Sequence, residues 1–156
     1  MAIQIGQLAP DFTLYNSDKE QVTLSNLKGK NVLLLFFPFA FTGTCTKELC
    51  STRDNLTFYQ GVNAEVFGIS VDSPHALRRF KEDLNLNFTL LSDFNKEVST
   101  AYDSIYETFA MGTKGVSKRS AFVIDKEGIV RYAEVLENAS EIPNFEAIQN
   151  CLKSLN

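Results

Sequence analysis

Residues 32–54, VLLLFFPFAFTGTCTKELCSTRD, decide how the chain folds. The stretch opens with six apolar residues, 32–37, and closes that run with Pro38. An apolar run of this length predicts a strand buried on both faces, as in a central sheet with parallel neighbours. The segment FPFAFTGT gathers Pro38, Gly43 and two threonines, so it reads as a loop. From Cys45 the apolar spacing becomes helical, with Cys45, Leu49, Leu56 and Tyr59 on one face and Gly61 as the expected end. Strand, tight loop and helix together put Cys45 in the first turn of a helix that follows a buried strand.

That position has chemical meaning. The first turn of a helix presents amides without helical acceptors and the positive end of the macrodipole. Both favour a thiolate over a thiol. An ordinary thiol, with a pKa of about 8.5, is only about 3% ionised at pH 7. A shift to about 6 would ionise roughly 90% of it. The more acidic sulfur is also the weaker nucleophile, by about 13-fold on a Brønsted slope near 0.45. The net gain is only about two- to threefold. Fast chemistry at such a sulfur therefore also needs stabilisation of the charge that develops on the leaving atom.

The rest of the chain alternates strands and helices, the pattern of an α/β sandwich. FTLYN and QVTL are strands around a polar turn at 17–20, and Ser25, Asn26 and Leu27 form one helical turn. AEVFGISV is a second buried strand. Ser73 as N-cap with Pro74 at the first helical position opens a helix whose apolar face is Leu77, Phe80 and Leu84. FTLLSD is a short strand and KEVSTAY a short helix. Residues 103–117 show no period and hold Gly112 and Gly115, which reads as a loop. RSAFVID and IVRYAEVL are strands about a hairpin turn at 126–128, and Phe145, Ile148, Leu152 and Leu155 mark a final amphipathic helix.

At 156 residues, with 44% hydrophobic and 22% charged residues, the chain reads as one domain, 1–156, with a substantial core. A net charge of −4 argues against a nucleic-acid or anionic-membrane binder. No stretch approaches the roughly 20 apolar residues of a membrane span. The start, MAIQIGQLAPDF, has no basic region followed by an apolar core, so no secretory signal is expected and the location is read as cytoplasmic. Three cysteines do not make a disulfide scaffold, and reactive intracellular thiols fit better. One histidine, His75, and scattered cysteines give no metal-ligand spacing, so neither metal nor cofactor is expected. His75 should be exposed, and Cys151 should serve as a small apolar residue.

The array Pro38-x-x-x-Thr42-x-x-Cys45 resembles the active-site pattern of peroxiredoxins, thiol peroxidases on a thioredoxin-like fold. The likeness extends to APDFTL, FFPFAFTGTC, FTLLSDF and KRSAFVIDKEGIVRYAEV, and so covers most of the chain. FAFTGTC and GVSKRSAFVID look most like the AhpE group, whereas Cys45-x4-Cys50 is more similar to the PrxQ, or bacterioferritin-comigratory, group. The resemblance implies an α/β, thioredoxin-like fold with a central mixed sheet flanked by helices. It implies reduction of hydrogen peroxide or an organic hydroperoxide at Cys45 through a sulfenic acid. It also implies a thioredoxin- or glutaredoxin-like reductant and a homodimer made through the loops flanking the site.

Within that resemblance Thr42 bonds the thiolate and the peroxide oxygen, and Pro38 shields the sulfur. Nothing in the local sequence distinguishes Arg119 from a surface charge beside Lys118. The resemblance alone puts it over the thiolate, where a permanently charged fork of donors would polarise the peroxide. Glu48, otherwise a solvated helix residue, would hold that arginine. Cys50 would resolve the sulfenic acid as an intramolecular disulfide. On a regular helix Cys50 points about 140° from Cys45, with Cα atoms about 8.6 Å apart. A disulfide needs less than about 7 Å, so resolution would require the first turns to unwind. The alternative is a one-cysteine cycle completed by an external thiol. Phe39 and Phe41 would line the pocket or a dimer contact. A disulfide oxidoreductase would need a Cys-x-x-Cys pair, which the chain lacks. A non-enzymatic redox or chaperone module would leave Cys45 with ordinary reactivity.

Overall fold

The computed structural model describes residues 2–155, so the end residues of the domain expected over 1–156, Met1 and Asn156, lie outside the described residues. An antiparallel pair, β1 (Thr13–Asn16) and β2 (Gln21–Thr23), opens the chain, followed by a 3-10 turn at Leu24–Leu27. The apolar run becomes β3 (Asn31–Phe36), every residue of it buried. α1 (Gly43–Asp54), α2 (Leu56–Gly61), β4 (Ala64–Ser70), α3 (Pro74–Leu84), β5 (Thr89–Ser92) and α4 (Glu97–Ala101) follow. Next come β6 (Ile105–Tyr106), β7 (Val116–Ser117), β8 (Ser120–Ile124), β9 (Val130–Val135) and α5 (Phe145–Ser154).

β1–β5, β8 and β9 form a mixed sheet in the order β2-β1-β5-β4-β3-β8-β9. β3 lies parallel to β4 and antiparallel to β8, so it sits inside the sheet with a hydrogen-bonded partner on each side. Its alternating side chains feed two cores. Leu33, Leu35 and Phe37 face the layer that holds Cys45 and Leu49 of α1, Leu77 and Phe80 of α3, and Ile148 and Leu152 of α5. Val32, Leu34 and Phe36 face Phe12, Leu24, Val98 and Tyr102 on the opposite side. A run with both faces packed has no polar positions, which is why it reads as continuous apolar sequence.

Two expectations need correcting. The helix expected to run from Cys45 to Gly61 is two helices. Asn55 leaves the helical conformation at φ −108° and ψ 13°, and its side-chain amide donates to the Ser51 carbonyl at 2.9 Å. Asparagine competes locally with helical hydrogen bonding, and this break follows that tendency. Leu56 and Tyr59 still join the core of Cys45 and Leu49, so the apolar spacing is satisfied across the break. Residues 103–117, read as a loop, contain the small antiparallel pair β6–β7. Strands of two residues are too short to show a period.

The Ser73 cap is present, its hydroxyl oxygen accepting from the Ala76 amide at 3.2 Å ahead of Pro74. Among the described residues no helix is long and apolar enough to cross a membrane.

Gly68 in β4 leaves room for the side chains of Leu90 on β5 and Phe37 after β3. A Cβ there would lie 2.7 Å from Leu90 Cδ2, 3.3 Å from Phe37 Cε1 and 3.7 Å from Leu49 Cδ2. These neighbours are fully buried and have little room to yield. Gly68→Ala should destabilise the fold by about 1–3 kcal/mol, read as a lower urea midpoint at unchanged slope. An unchanged midpoint would show that the packing of Leu90 and Phe37 against Gly68 is looser than described.

Candidate active site

Strand register explains how residues 74 apart in sequence meet. Phe36 of β3 pairs with Ser120 of β8 in antiparallel register, which sets residue 119 beside residue 37 at the end of β3. Pro38 follows at once and ends the strand, since it has no amide to donate to a ladder. The chain then turns through residues 38–42 into α1. Asp72, just past β4, ties that turn down by accepting from the Ala40 amide at 2.8 Å and from the Ser70 hydroxyl at 2.6 Å. Phe41 takes a left-handed φ of +67° to complete the turn, with its ring 55% exposed and edge-on to Phe80.

Cys45 occupies the third position of α1 and is 1% exposed. The helix's first backbone bond runs from the Thr46 amide to the Thr42 carbonyl at 2.9 Å. The amides before it, at Gly43, Thr44 and Cys45, therefore precede the helical ladder and point out of the helix end. α1 has no acidic residue in this first turn to oppose an anion there.

Arg119 is 2% exposed and reaches Cys45 directly, with Nη2 3.3 Å from Sγ. Nη1 donates to Glu48 Oε1 at 2.8 Å, Nε to the Ala139 carbonyl at 3.0 Å, and Nη2 to the same carbonyl at 2.9 Å. Four hydrogen bonds thus occupy four of the five guanidinium N–H groups. Burial alone would lower the affinity of Arg119 for its proton. The facing charges of Glu48 and Cys45, with the hydrogen bonds to both, outweigh it and hold the guanidinium above its ordinary value.

Glu48 is fully buried, not solvated, because it lies one turn from Cys45 on the same side of α1. Burial raises its carboxyl from 4.5 to about 7, against the lowering effect of Arg119, and the charge of Glu134 adds to the rise. One oxygen, Oε2, has no hydrogen-bond partner among the described residues.

Thr42 lies at the mouth of the site. Its hydroxyl donates to the Phe39 carbonyl at 2.8 Å, so that proton is directed to the loop and not to the sulfur. The opening over Cys45 is lined by Pro38, Phe39, Thr42, Gly43, Thr44, Phe109, Arg119, Ala139 and Ser140. Pro38 is buried and Phe39 half-buried against Phe109.

The structure therefore gathers Pro38, Thr42, Cys45, Glu48 and Arg119. Cys50 lies further along the unbroken α1, half-buried, and all three cysteines are free thiols. Cys151 is half-buried at the edge of the α-side core, its Sγ 3.7 Å from the Arg131 carbonyl, and burial pushes its thiol up. His75 is exposed.

Three contributors escaped the sequence reading. Phe109 sits in the aperiodic segment. Ala139 acts through its backbone, which no side-chain pattern reports. Asp72 is an acidic residue like any other until β4 and the loop are in place. The one available signal is Asn138-Ala139-Ser140, a turn-forming triplet.

Residues 5–133 match the AhpC/TSA family. Peroxiredoxin Bcp of Escherichia coli (strain K12) is 36% identical over 152 residues, spanning 97% of this chain and 96% of that protein. Alkyl hydroperoxide reductase E of Mycobacterium tuberculosis is 40% identical over 136 residues, 85% of this chain and 86% of that one. Among solved structures, peroxidoxin BcpB of Mycobacterium tuberculosis superposes with a TM-score of 0.87 at 28% identity over 99% of both chains. A peroxiredoxin-like protein of Aquifex aeolicus gives 0.89 at 27% identity, covering 100% of this chain and 90% of that one. The sheet and its flanking helices are thus the thioredoxin-like fold of these proteins.

The raised carboxyl of Glu48 has a definite sign. The folded state holds that proton more tightly than the unfolded chain does. The stability it contributes is fully present below about 4.5 and lost as pH rises through about 7. Glu48→Gln keeps the shape of the protonated acid and cannot ionise. The urea midpoint of the variant should therefore gain on the wild type between pH 5 and pH 8. A midpoint difference independent of pH would contradict the buried, proton-retaining carboxyl.

Proposed function

The chain belongs to the AhpC/TSA family and is a thiol peroxidase of the peroxiredoxin superfamily, and from that premise we propose that Cys45 is the sulfur that attacks the peroxide. The observation that carries this reading is the 3.3 Å approach of Arg119 Nη2 to Cys45 Sγ, in a niche open enough to admit a small substrate. The sulfur, its proton released to solvent, attacks one peroxide oxygen; the S–O bond forms as the O–O bond breaks, and the departing hydroxide or alkoxide takes a proton back from solvent. The products are a sulfenic acid on Cys45 and water or an alcohol.

In this reading Arg119 stabilises the charge on the breaking bond, the term that thiolate formation alone cannot supply. Glu48 holds Arg119, and a buried ion pair is better suited to fixing geometry than to adding stability. Thr42, whose proton goes to Phe39, offers its oxygen to the O–H of the peroxide, and Pro38 limits access of water. The rings of Phe39 and Phe109 give the opening an apolar wall that suits organic hydroperoxides as well as hydrogen peroxide. The name of the relative from Mycobacterium tuberculosis, alkyl hydroperoxide reductase E, agrees with that substrate class.

Cys50 then condenses with the sulfenic acid, releasing water and forming a disulfide, and a thioredoxin-type dithiol of the kind the family implies reduces it. Because α1 is unbroken between the two cysteines, this step requires its first turns to unwind. That same continuity favours the rival one-cysteine cycle, in which an outside thiol reduces Cys45 directly. Three unpaired cysteines suit a reducing compartment, and we place the protein in the cytoplasm as one peroxiredoxin domain.

A homodimer formed through the loops beside the site is part of the same proposal. Exposed Phe41 and Met111, at 55% and 91%, support it as apolar groups on those loops. Sedimentation velocity should show a dimer that Phe41→Asp shifts towards monomer; a monomeric wild type would refute it.

Intact-mass measurement after one equivalent of hydroperoxide separates the two cycles. The wild type should lose two hydrogens, as for a disulfide, and Cys50→Ser should instead gain one oxygen. Cys45→Ser should do neither and should consume no peroxide. An oxygen adduct that persists in the wild type would replace resolution by Cys50 with the one-cysteine cycle. Undiminished turnover by Cys45→Ser would end the assignment of the nucleophile.

A further inference from the structure

We propose that Asn138 is a positioning residue for the peroxidase reaction, aiming the Ala139 carbonyl at Arg119 and so holding the guanidinium against Cys45. The inference rests on the role of Arg119 proposed above.

The geometry is that of one peptide plane. The Ala139 carbonyl and the Ser140 amide N–H belong to the same peptide unit and point in opposite directions, because that unit is planar and trans. Asn138 Oδ1 accepts from the Ser140 amide at 3.0 Å and from the Ser140 hydroxyl at 2.6 Å. The Glu141 amide closes the turn on the Asn138 carbonyl at 3.1 Å. With the N–H end of the plane fixed by the Asn138 side chain, the carbonyl end faces the other way, into the site. There it accepts from Arg119 Nε at 3.0 Å and from Nη2 at 2.9 Å.

The flanking chain is held independently. The Leu136 amide donates to the Arg119 carbonyl at 2.9 Å, Lys118 pairs with Glu137 at 2.7 Å, and the Asn144 amide donates to Glu134 at 2.9 Å. Asn138 thus sets the orientation of one peptide inside an anchored strap. If that peptide turns over, Arg119 loses two charge-assisted bonds and an N–H faces its positive charge. Glu48, gripping Nη1, remains as its side-chain anchor, and Nη2 is free to swing from the sulfur. The consequence falls on the transition state, where the guanidinium is needed in one place.

The test is a double-mutant cycle on the second-order rate of peroxide reaction with the reduced protein. Asn138→Ala should slow it roughly tenfold or more, the scale expected when charge-assisted hydrogen bonds that hold Arg119 are lost. Asn138→Asp, which keeps the accepting oxygen, should restore most of the rate. In an Arg119→Ala background, Asn138→Ala should cost less than about twofold, since the group it positions is gone. A rate unchanged in Asn138→Ala, no rescue by aspartate, or an equal loss in both backgrounds would each overturn the role of Asn138. Full activity in Arg119→Ala alone would instead remove the reading of Arg119 and this inference with it. Loss in Arg119→Ala with none in Asn138→Ala removes only the latter.

Discussion

The guanidinium of Arg119 is the constraint on which the site depends. It is almost wholly buried, it cannot shed its charge, and it meets a carboxylate oxygen, a backbone carbonyl and a sulfur at once. A buried cation is tolerable only where its donors are paired, and here four of five are. These partners come from two distant parts of the chain: Cys45 and Glu48 from α1, Ala139 from the strap after β9. The sheet brings them together, since the antiparallel register of β3 and β8 fixes where Arg119 emerges.

That arrangement separates two requirements a peroxide-reducing thiol must meet. Ionising a thiol is not enough by itself, because the more acidic thiol is the weaker nucleophile. In the mechanism proposed here the same cation has a second use, against the oxygen that leaves. A cation already fixed in place needs no reorganisation as the O–O bond breaks, whereas water would have to reorient. Glu48 fits this logic. Its burial raises its proton affinity and makes it a costly partner for stability, which is acceptable if its contribution is to orientation.

Much of this was legible in the sequence, for physical reasons that differ by element. β3 was readable because its residues from Val32 to Phe36, packed on both faces, leave no polar position. The start of α3 was readable because Ser73 and Pro74 satisfy opposite needs of a helix N-terminus. Cys45 was readable from its place between loop and helix, but Arg119 and Glu48 were not, except through family resemblance. A charged residue looks solvated in sequence, and only the long-range register buries these two together. The break at Asn55 was missed because the apolar face continues through it. Ala139 was beyond any side-chain pattern, because its contribution is a carbonyl.

In the proposed reaction a fixed cation accelerates the attack of Cys45 on peroxide beyond what an ionised thiol achieves. The most direct measurement is the single-turnover rate of hydroperoxide reaction in the reduced protein, at a pH where the thiol is fully ionised, for the wild type and Arg119→Lys. Replacing the forked guanidinium should slow the reaction by roughly 10²-fold or more, since lysine keeps the charge but not the geometry. Equal rates at full ionisation would contradict it, and would leave Arg119 with no more than a part in ionising the sulfur.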